Sequence, residues 1–193
     1  MTNQILPAVR MTLVLTVLTG LIYPGVVTGV VKVLFPHQAA GSLIEVNGKV
    51  VGSELIGQKF TQPFYFHGRP SGAGTGYDAA NSGATNLGPT NPDLIKRVTA
   101  DVAAFHKENP TFTGPIPADL LTMSASGLDP HISPAAAYAQ EQRVADARST
   151  PVARVHTLID AAIEPRTFGF LGEPRVNVLK LNLTLDREIP IRK

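Results

Sequence analysis

Gly72-Ala73-Gly74-Thr75-Gly76 is the run whose residue types come nearest to a phosphate cradle, because closely spaced glycines let backbone N–H groups converge on an anion. A Walker-type loop also needs a Gly-Lys-Ser/Thr ending, so that an ammonium meets the phosphates and a hydroxyl meets magnesium. No lysine lies between Lys59 and Lys96. A dinucleotide fingerprint needs a helix directly after the glycines, whereas here Asn and Gly continue to Thr90. The run is therefore expected to be a surface loop, from which Tyr77, Asp78, Asn81, Asn86 and Asn91 offer a polar, turn-stabilised surface to a ligand or partner. Histidines stand at 37, 67, 106, 131 and 156, with no i, i+4 pair and no carboxylate at ligand spacing, so no metal site is expected. In GLDPHIS, His131 is expected to orient a loop through Asp129. There is no GxSxG elbow, and Ser71, Ser124, Ser126 and Ser133 suit turns and caps. Phe64, Tyr65, Phe66 and Tyr77 with Arg69 are read either as a binding platform or as a core strand with one exposed tyrosine. No acid pair is placed by spacing to act as general acid and base, and no catalytic residue or cofactor of the chain's own is expected.

These residues need elements to hold them. From Met11 to Val31 the chain runs 21 residues without a charge, about 31 Å as a helix, which matches the hydrocarbon thickness of a bilayer. The boundaries expected are a short tail over 1–10, a transmembrane helix over 11–34 and one extramembrane domain over 36–193. A cleaved signal peptide, and with it a secreted binding module, is the competing reading; its apolar core is ordinarily shorter, and Gln38 stands where a small residue belongs before Ala39-Ala40. Pro24 and Gly25 are expected to interrupt the helix. Gly25 and Gly29 form a small-xxx-small pair that, with Thr28, gives a face for helix packing. Charge bias between Arg10 on one side and Lys32 and Lys49 on the other only gently favours a cytoplasmic amino end and a domain outside.

Beyond Pro36, Asn47-Gly48 between two alternating apolar runs predicts a β-hairpin with a type I′ turn. Phe64-Tyr65-Phe66 suits a short strand. Asn91-Pro92, Ser133-Pro134 and Thr150-Pro151 repeat one device, a capping side chain before proline at the first helical position. They predict helices over 92–108, with a stripe of Leu94, Ile95, Val98, Val102 and Phe105, over 134–148, rich in alanine, and over 151–163. Leu179, Leu181, Leu183 and Leu185 alternate with Lys180, Asn182 and Thr184 and predict a half-buried strand. ADLLTMSAS fits either strand or helix. Strands and helices without regular βαβ alternation give an α+β fold, a small mixed sheet with about three helices.

Composition narrows the function. The sequence pI is about 9.0, yet Arg10 and Lys32 are the only charged residues among 1–35, and the other 15 Lys and Arg are balanced by 15 Asp and Glu. A neutral domain has no net field for nucleic acid. Cysteine is absent, which removes disulfides, thiol catalysis and cysteine-ligated metals.

The blocks FTQPFYFHGRPSG, GYDAANSGATNLGPTNPDL, IPADLLTMSASGLDPHISPAAAYAQEQRVADAR and RVNVLKLNLTLD, in that order behind one apolar segment, resemble the KdpC family, the C subunit of the Kdp potassium-transporting ATPase. The sequence departs from the pattern in its extra glycines before Tyr77. The resemblance implies a non-catalytic accessory subunit of an ATP-driven potassium uptake complex in the bacterial inner membrane. Its partners would be a channel-like potassium-binding subunit, a P-type ATPase subunit that carries the ATP and magnesium, a small single-helix subunit and the lipid bilayer. It also implies a catalytic chaperone that raises the ATPase subunit's nucleotide affinity, and an extracytoplasmic domain over the ion entrance. With no P-loop in the chain, assembly and a guide at that entrance are expected, with ATP effects transmitted indirectly. A membrane-anchored periplasmic enzyme or binding module using the Gly/Asn-rich loop is the alternative. The candidate partner surface is Tyr65, Arg69, Tyr77, Asp78, Asn86, Asn91, Asp129 and His131.

Overall fold

The computed structural model describes residues 4–191. The chain divides into two units, residues 1–51 and 52–193.

In the first unit, α1 (Ile5–Val17), a π-helical turn (Leu18–Ile22) and α2 (Tyr23–Leu34) follow one another without a break. Together they make 30 residues of mean hydropathy 2.0, long and apolar enough to cross a membrane. The expected interruption takes the form of the π turn. Proline lacks an N–H and crowds the carbonyl four residues back, here that of Gly20. The backbone widens just before it, and Tyr23 N–H reaches the Leu18 carbonyl, five residues away. Thr19 Oγ1 donates to the Leu15 carbonyl at 2.7 Å, so this hydroxyl of the apolar segment is satisfied locally. Gly25, Thr28 and Gly29 are exposed, and a Cβ on either glycine meets nothing within 4 Å. A four-residue helix, α3 (Pro36–Ala39), comes next. The hairpin of β1 (Leu43–Val46) and β2 (Lys49–Ser53) forms as expected, with Asn47 and Gly48 at φ 53° and 75°, the positive pair that a type I′ turn requires.

The second unit holds α4 (Pro92–Glu108), β3 (His131–Ile132), α5 (Pro134–Ala147), α6 (Val152–Ala162), β4 (Ile163–Glu164), β5 (Arg175–Asn177) and α7 (Val178–Glu188). β5 lies between β3 and β4 and is antiparallel to both, with Val176 opposite Ile132 on one side and Ile163 on the other. The α+β reading stands. The core joins Val176 to Ala136, Ala137, Val144 and Ala145 of α5, Val155 and Ile159 of α6, and Val178, Leu181 and Leu185 of α7, with Phe66 among them. The alanines of α5 pack closely, and four of them are buried. Asn91 and Ser133 cap α4 and α5, accepting from Asp93 N–H at 2.8 Å and Ala136 N–H at 3.1 Å. Three expectations fail here, besides the two strands that follow. At α6, Pro151 itself is the cap position, and Thr150 N–H goes instead to the Ala145 carbonyl. Ile95 of the α4 stripe is exposed, while Leu94, Val98, Val102 and Phe105 are half-buried. ADLLTMSAS holds one 3-10 turn, Ala118–Leu120, and otherwise irregular chain.

The expected strand over 179–185 is the helix α7. Leucine is a strong helix former, and Asn177 Oδ1 caps the helix by accepting from Lys180 N–H. Val178, Leu181, Asn182 and Leu185 recur at helical spacing and are buried together. Asn182, 1% exposed, explains why helix wins: its Oδ1 accepts from Phe66 N–H at 2.8 Å and its Nδ2 donates to the Phe66 carbonyl at 3.0 Å.

The expected strand at Phe64–Phe66 is irregular chain whose backbone is paired by side chains instead. Arg148 Nε donates to the Phe64 carbonyl at 2.8 Å, and Arg143 Nη1 donates to the carbonyls of Pro63 and Tyr65 at 2.5 and 3.0 Å. Gln140 both accepts from His67 N–H and donates to the His67 carbonyl. Every buried polar backbone group must find a partner. Gln140, Arg143, Arg148 and Asn182, all buried, do for this segment what a neighbouring strand does elsewhere.

Candidate functional site

The glycine run folds around one hydroxyl. Ser71 Oγ donates to the Gly127 carbonyl at 2.6 Å and accepts from Ala73 N–H at 3.2 Å and Tyr77 N–H at 2.7 Å. Gly76 and Asp78 N–H both go to the Ala73 carbonyl. Two of the run's amides, those of Ala73 and Gly76, are thus bonded within the loop. Gly127, at φ 69°, allows the close approach, since a Cβ there would lie 2.6 Å from Ala73 N.

Arg69 fastens this loop to the 122–129 segment. Its Nη1 meets Asp129 Oδ2 at 2.9 Å, its Nε and Nη2 donate to the Thr122 carbonyl at 3.3 Å, and Nη2 also donates to that of Met123 at 3.2 Å. Tyr77, in the left-handed region at φ 58°, donates its hydroxyl back to the Arg69 carbonyl at 2.5 Å. Asp129 Oδ1 accepts from His131 N–H at 2.9 Å, and the His131 ring stands 3.6 Å away, so the expected Asp129–His131 link is present.

Four of the eight surface residues, Arg69, Tyr77, Asp129 and His131, are therefore neighbours. The others lie apart. Asp78 caps the short turn Ala79–Asn81 and accepts from Asn81 Nδ2 at 2.6 Å. Asn86 is exposed at φ 51°, and Asn91 is spent as the α4 cap. Tyr65 donates to Asp186 at 2.7 Å. The aromatic platform with Arg69 does not form: Phe66 is fully buried, and the guanidinium over the Phe64 and Tyr65 rings is that of Arg148, 5.8 and 5.3 Å from their centroids.

A cleft of about 250 Å³ adjoins this cluster, lined in part by His67, Arg69, Tyr77, Asp101, Glu108 and Gln140. His67, Glu108 and Gln140 had no place in the sequence reading of the surface. A signal was there in part, since Gln140 and Arg143 are polar residues three apart among the buried alanines of α5. His67 places Nε2 3.1 Å from the Gln62 carbonyl and Nδ1 3.3 Å from Glu108.

Titration bears on what the cluster can do. Burial pushes the Tyr77 phenol up to about 12, helped by the Asp129 charge and opposed by Arg69. Burial also works against ionised Asp129, but the ring and N–H of His131 and then Arg69 outweigh it and hold the carboxyl at about 2. Burial and then Arg143 lower His67, against the pull of Gln62 and Glu108. At neutral pH Tyr77 keeps its proton and Asp129 stays ionised, so neither is poised to exchange a proton during a reaction. The arrangement orders two loops against each other.

Fold and site together define an α+β domain carried behind one helix long enough to cross a bilayer, its ionic residues spent on fastening loops. The family model described as K+-transporting ATPase, c chain, matches residues 5–187. The chain is 54% identical over 191 residues to the potassium-transporting ATPase KdpC subunit of Rhodospirillum rubrum, covering 99% of both chains. It is 55% identical over 188 residues to that of Myxococcus xanthus, covering 97% of this chain and 89% of the other. The chain belongs to the KdpC family.

Proposed function

We infer that the chain is a non-catalytic accessory subunit of an ATP-driven potassium uptake complex in a bacterial cell membrane. The observation that carries this is the nearly full-length similarity to proteins named as KdpC subunits of a potassium-transporting ATPase. The helix Ile5–Leu34 is the anchor, and the domain beyond it faces away from the cytoplasm. Its partners are a channel-like potassium-binding subunit, a P-type ATPase subunit and a small single-helix subunit. ATP and magnesium stay on the ATPase subunit, and potassium is the cargo of the whole. The chain assists assembly and raises the nucleotide affinity of the ATPase subunit from a distance, at the ion entrance. An indirect effect fits a glycine run that has no following Gly-Lys-Ser/Thr and whose Ala73 and Gly76 amides are already bonded within the loop.

A mild-detergent pull-down from potassium-starved cells, read by mass spectrometry, tests this reading. Recovery of neither the ATPase nor the channel-like subunit overturns it. Orientation has its own check: the chain has no cysteine, so a single Thr85→Cys on the exposed loop is a unique label site. An impermeant maleimide is expected to label it in intact spheroplasts, and labelling only after lysis reverses the topology. The open Gly25 and Gly29 face is expected to pack against a partner helix. Gly25→Leu with Gly29→Leu should lower recovery of the other subunits about tenfold; unchanged recovery removes that face from the assembly.

A further inference from the structure

Between β4 and β5 the chain leaves the sheet in an extension, residues 165–174, all of them exposed. Thr167 and Leu171 exchange both backbone hydrogen bonds at 2.9 Å, and Gly169 N–H reaches the Arg166 carbonyl at 3.0 Å, so the tip is a closed turn. On it stand Phe168, 84% exposed, Phe170, 70% exposed, and Leu171, 49% exposed.

We propose that this extension is a plug that seats Phe168 and Phe170 in an apolar socket on another protein subunit of the transport complex. The inference rests on the function proposed above and adds the contact that it lacks. Three observations carry it. Phe168 sits at φ 53°, in the left-handed region that turns ordinarily fill with glycine or asparagine. Its ring makes no core contact to offset that strain, so local folding gives no reason for phenylalanine there. The neck is charge-neutral, with Arg166 paired to Glu173 at 2.5 Å and Arg175 to Glu164 at 3.0 Å. A lipid-surface anchor of this size needs unpaired cations to hold anionic headgroups, and a protein socket with a polar rim does not. Finally, two phenylalanines and a leucine bury roughly 400 to 600 Å² at most, below the roughly 800 Å² per partner of a stable interface between free proteins. That area is too small to hold two chains together by itself, but it suffices as one contact within a complex whose subunits other contacts and a shared bilayer already hold together.

The test places a benzophenone-bearing phenylalanine at position 168 of the full chain, co-expressed with the whole complex and irradiated in the membrane. A covalent adduct with another subunit is expected. Adducts only with lipid or with a second copy of this chain, or none at all while the complex still co-purifies, overturn the plug and leave the subunit assignment standing. Failure of the unsubstituted chain to co-purify overturns the assignment itself, and the plug with it. In parallel, Phe168→Asn with Phe170→Ser should lower retention of the chain in the detergent-washed complex about tenfold, with its unfolding midpoint unchanged or raised. Equal retention, or a lowered midpoint, counts against the plug.

Discussion

Replacing Asn182 with leucine is expected to destabilise the domain by about 3 kcal/mol, although leucine has the same number and branching of side-chain heavy atoms and a better helix propensity. Among the described residues Asn182 alone bonds both the N–H and the carbonyl of Phe66, whose side chain is fully buried. Removing the amide strands two buried backbone groups, each costing roughly 1 to 3 kcal/mol. The helix gains only tenths in return. Thr184→Leu, two positions on and on the partly exposed face, is the control and should stay within about 0.5 kcal/mol of the parent. Denaturant unfolding of the full chain in detergent measures both. If Asn182→Leu behaves like Thr184→Leu, side-chain pairing of the 63–67 segment is not what holds it.

Arg69→Lys is the second large effect, with an expected loss of about 2 kcal/mol. A lysine keeps the charge beside Asp129 but cannot reach the Thr122 and Met123 carbonyls at the same time, because it lacks the planar fork. The figure lies below the roughly 3 to 5 kcal/mol for breaking a fully buried pair, since these two side chains retain 24% and 29% exposure. The same cluster sets a pH dependence. Asp129 has a folded pKa of about 2, below the ordinary 3.8, so its contribution is complete above pH 4. It is lost as pH falls from 3.8 towards 2. Stability of the parent chain should therefore fall more steeply across that window than that of Asp129→Asn, as followed by denaturant midpoints at several pH values. Parallel curves would detach the pair from stability.

What could be read in the sequence was local. The hairpin followed from Asn47-Gly48, and two caps followed from Asn91-Pro92 and Ser133-Pro134, because the partners of those groups lie within three residues. Val178 to Glu188 misled because leucine at every second position satisfies a strand, while Val178, Leu181, Asn182 and Leu185 satisfy a helix equally well. The deciding partner, Phe66, is 116 residues away. Tyr65 lies apart from the Arg69 cluster for a similar reason: its partners Asp186 and Arg148 are distant in sequence, and an aromatic triplet resembles a strand until its backbone is seen bonded to Arg143, Arg148 and Asn182. Arg69 and Asp129 were both picked out, but nothing in their spacing of 60 residues pairs them. Nothing in the sequence sets Phe168 and Phe170 apart, since exposure of an aromatic ring is a property of the fold and not of its neighbours in sequence.

The π turn at Leu18–Ile22 has a consequence for phase. One added residue in a turn rotates everything after it by roughly 100° about the axis. Val14 and Gly25, eleven positions apart, would nearly eclipse in a regular helix, and here they point roughly a quarter-turn away from each other. The apolar helix is thus two halves with separate azimuths. A heptad or 3.6-residue wheel drawn from Ile5 to Leu34 mixes two different sides of the helix. Any packing face that includes Gly25 and Gly29 has to be drawn from Tyr23 onward.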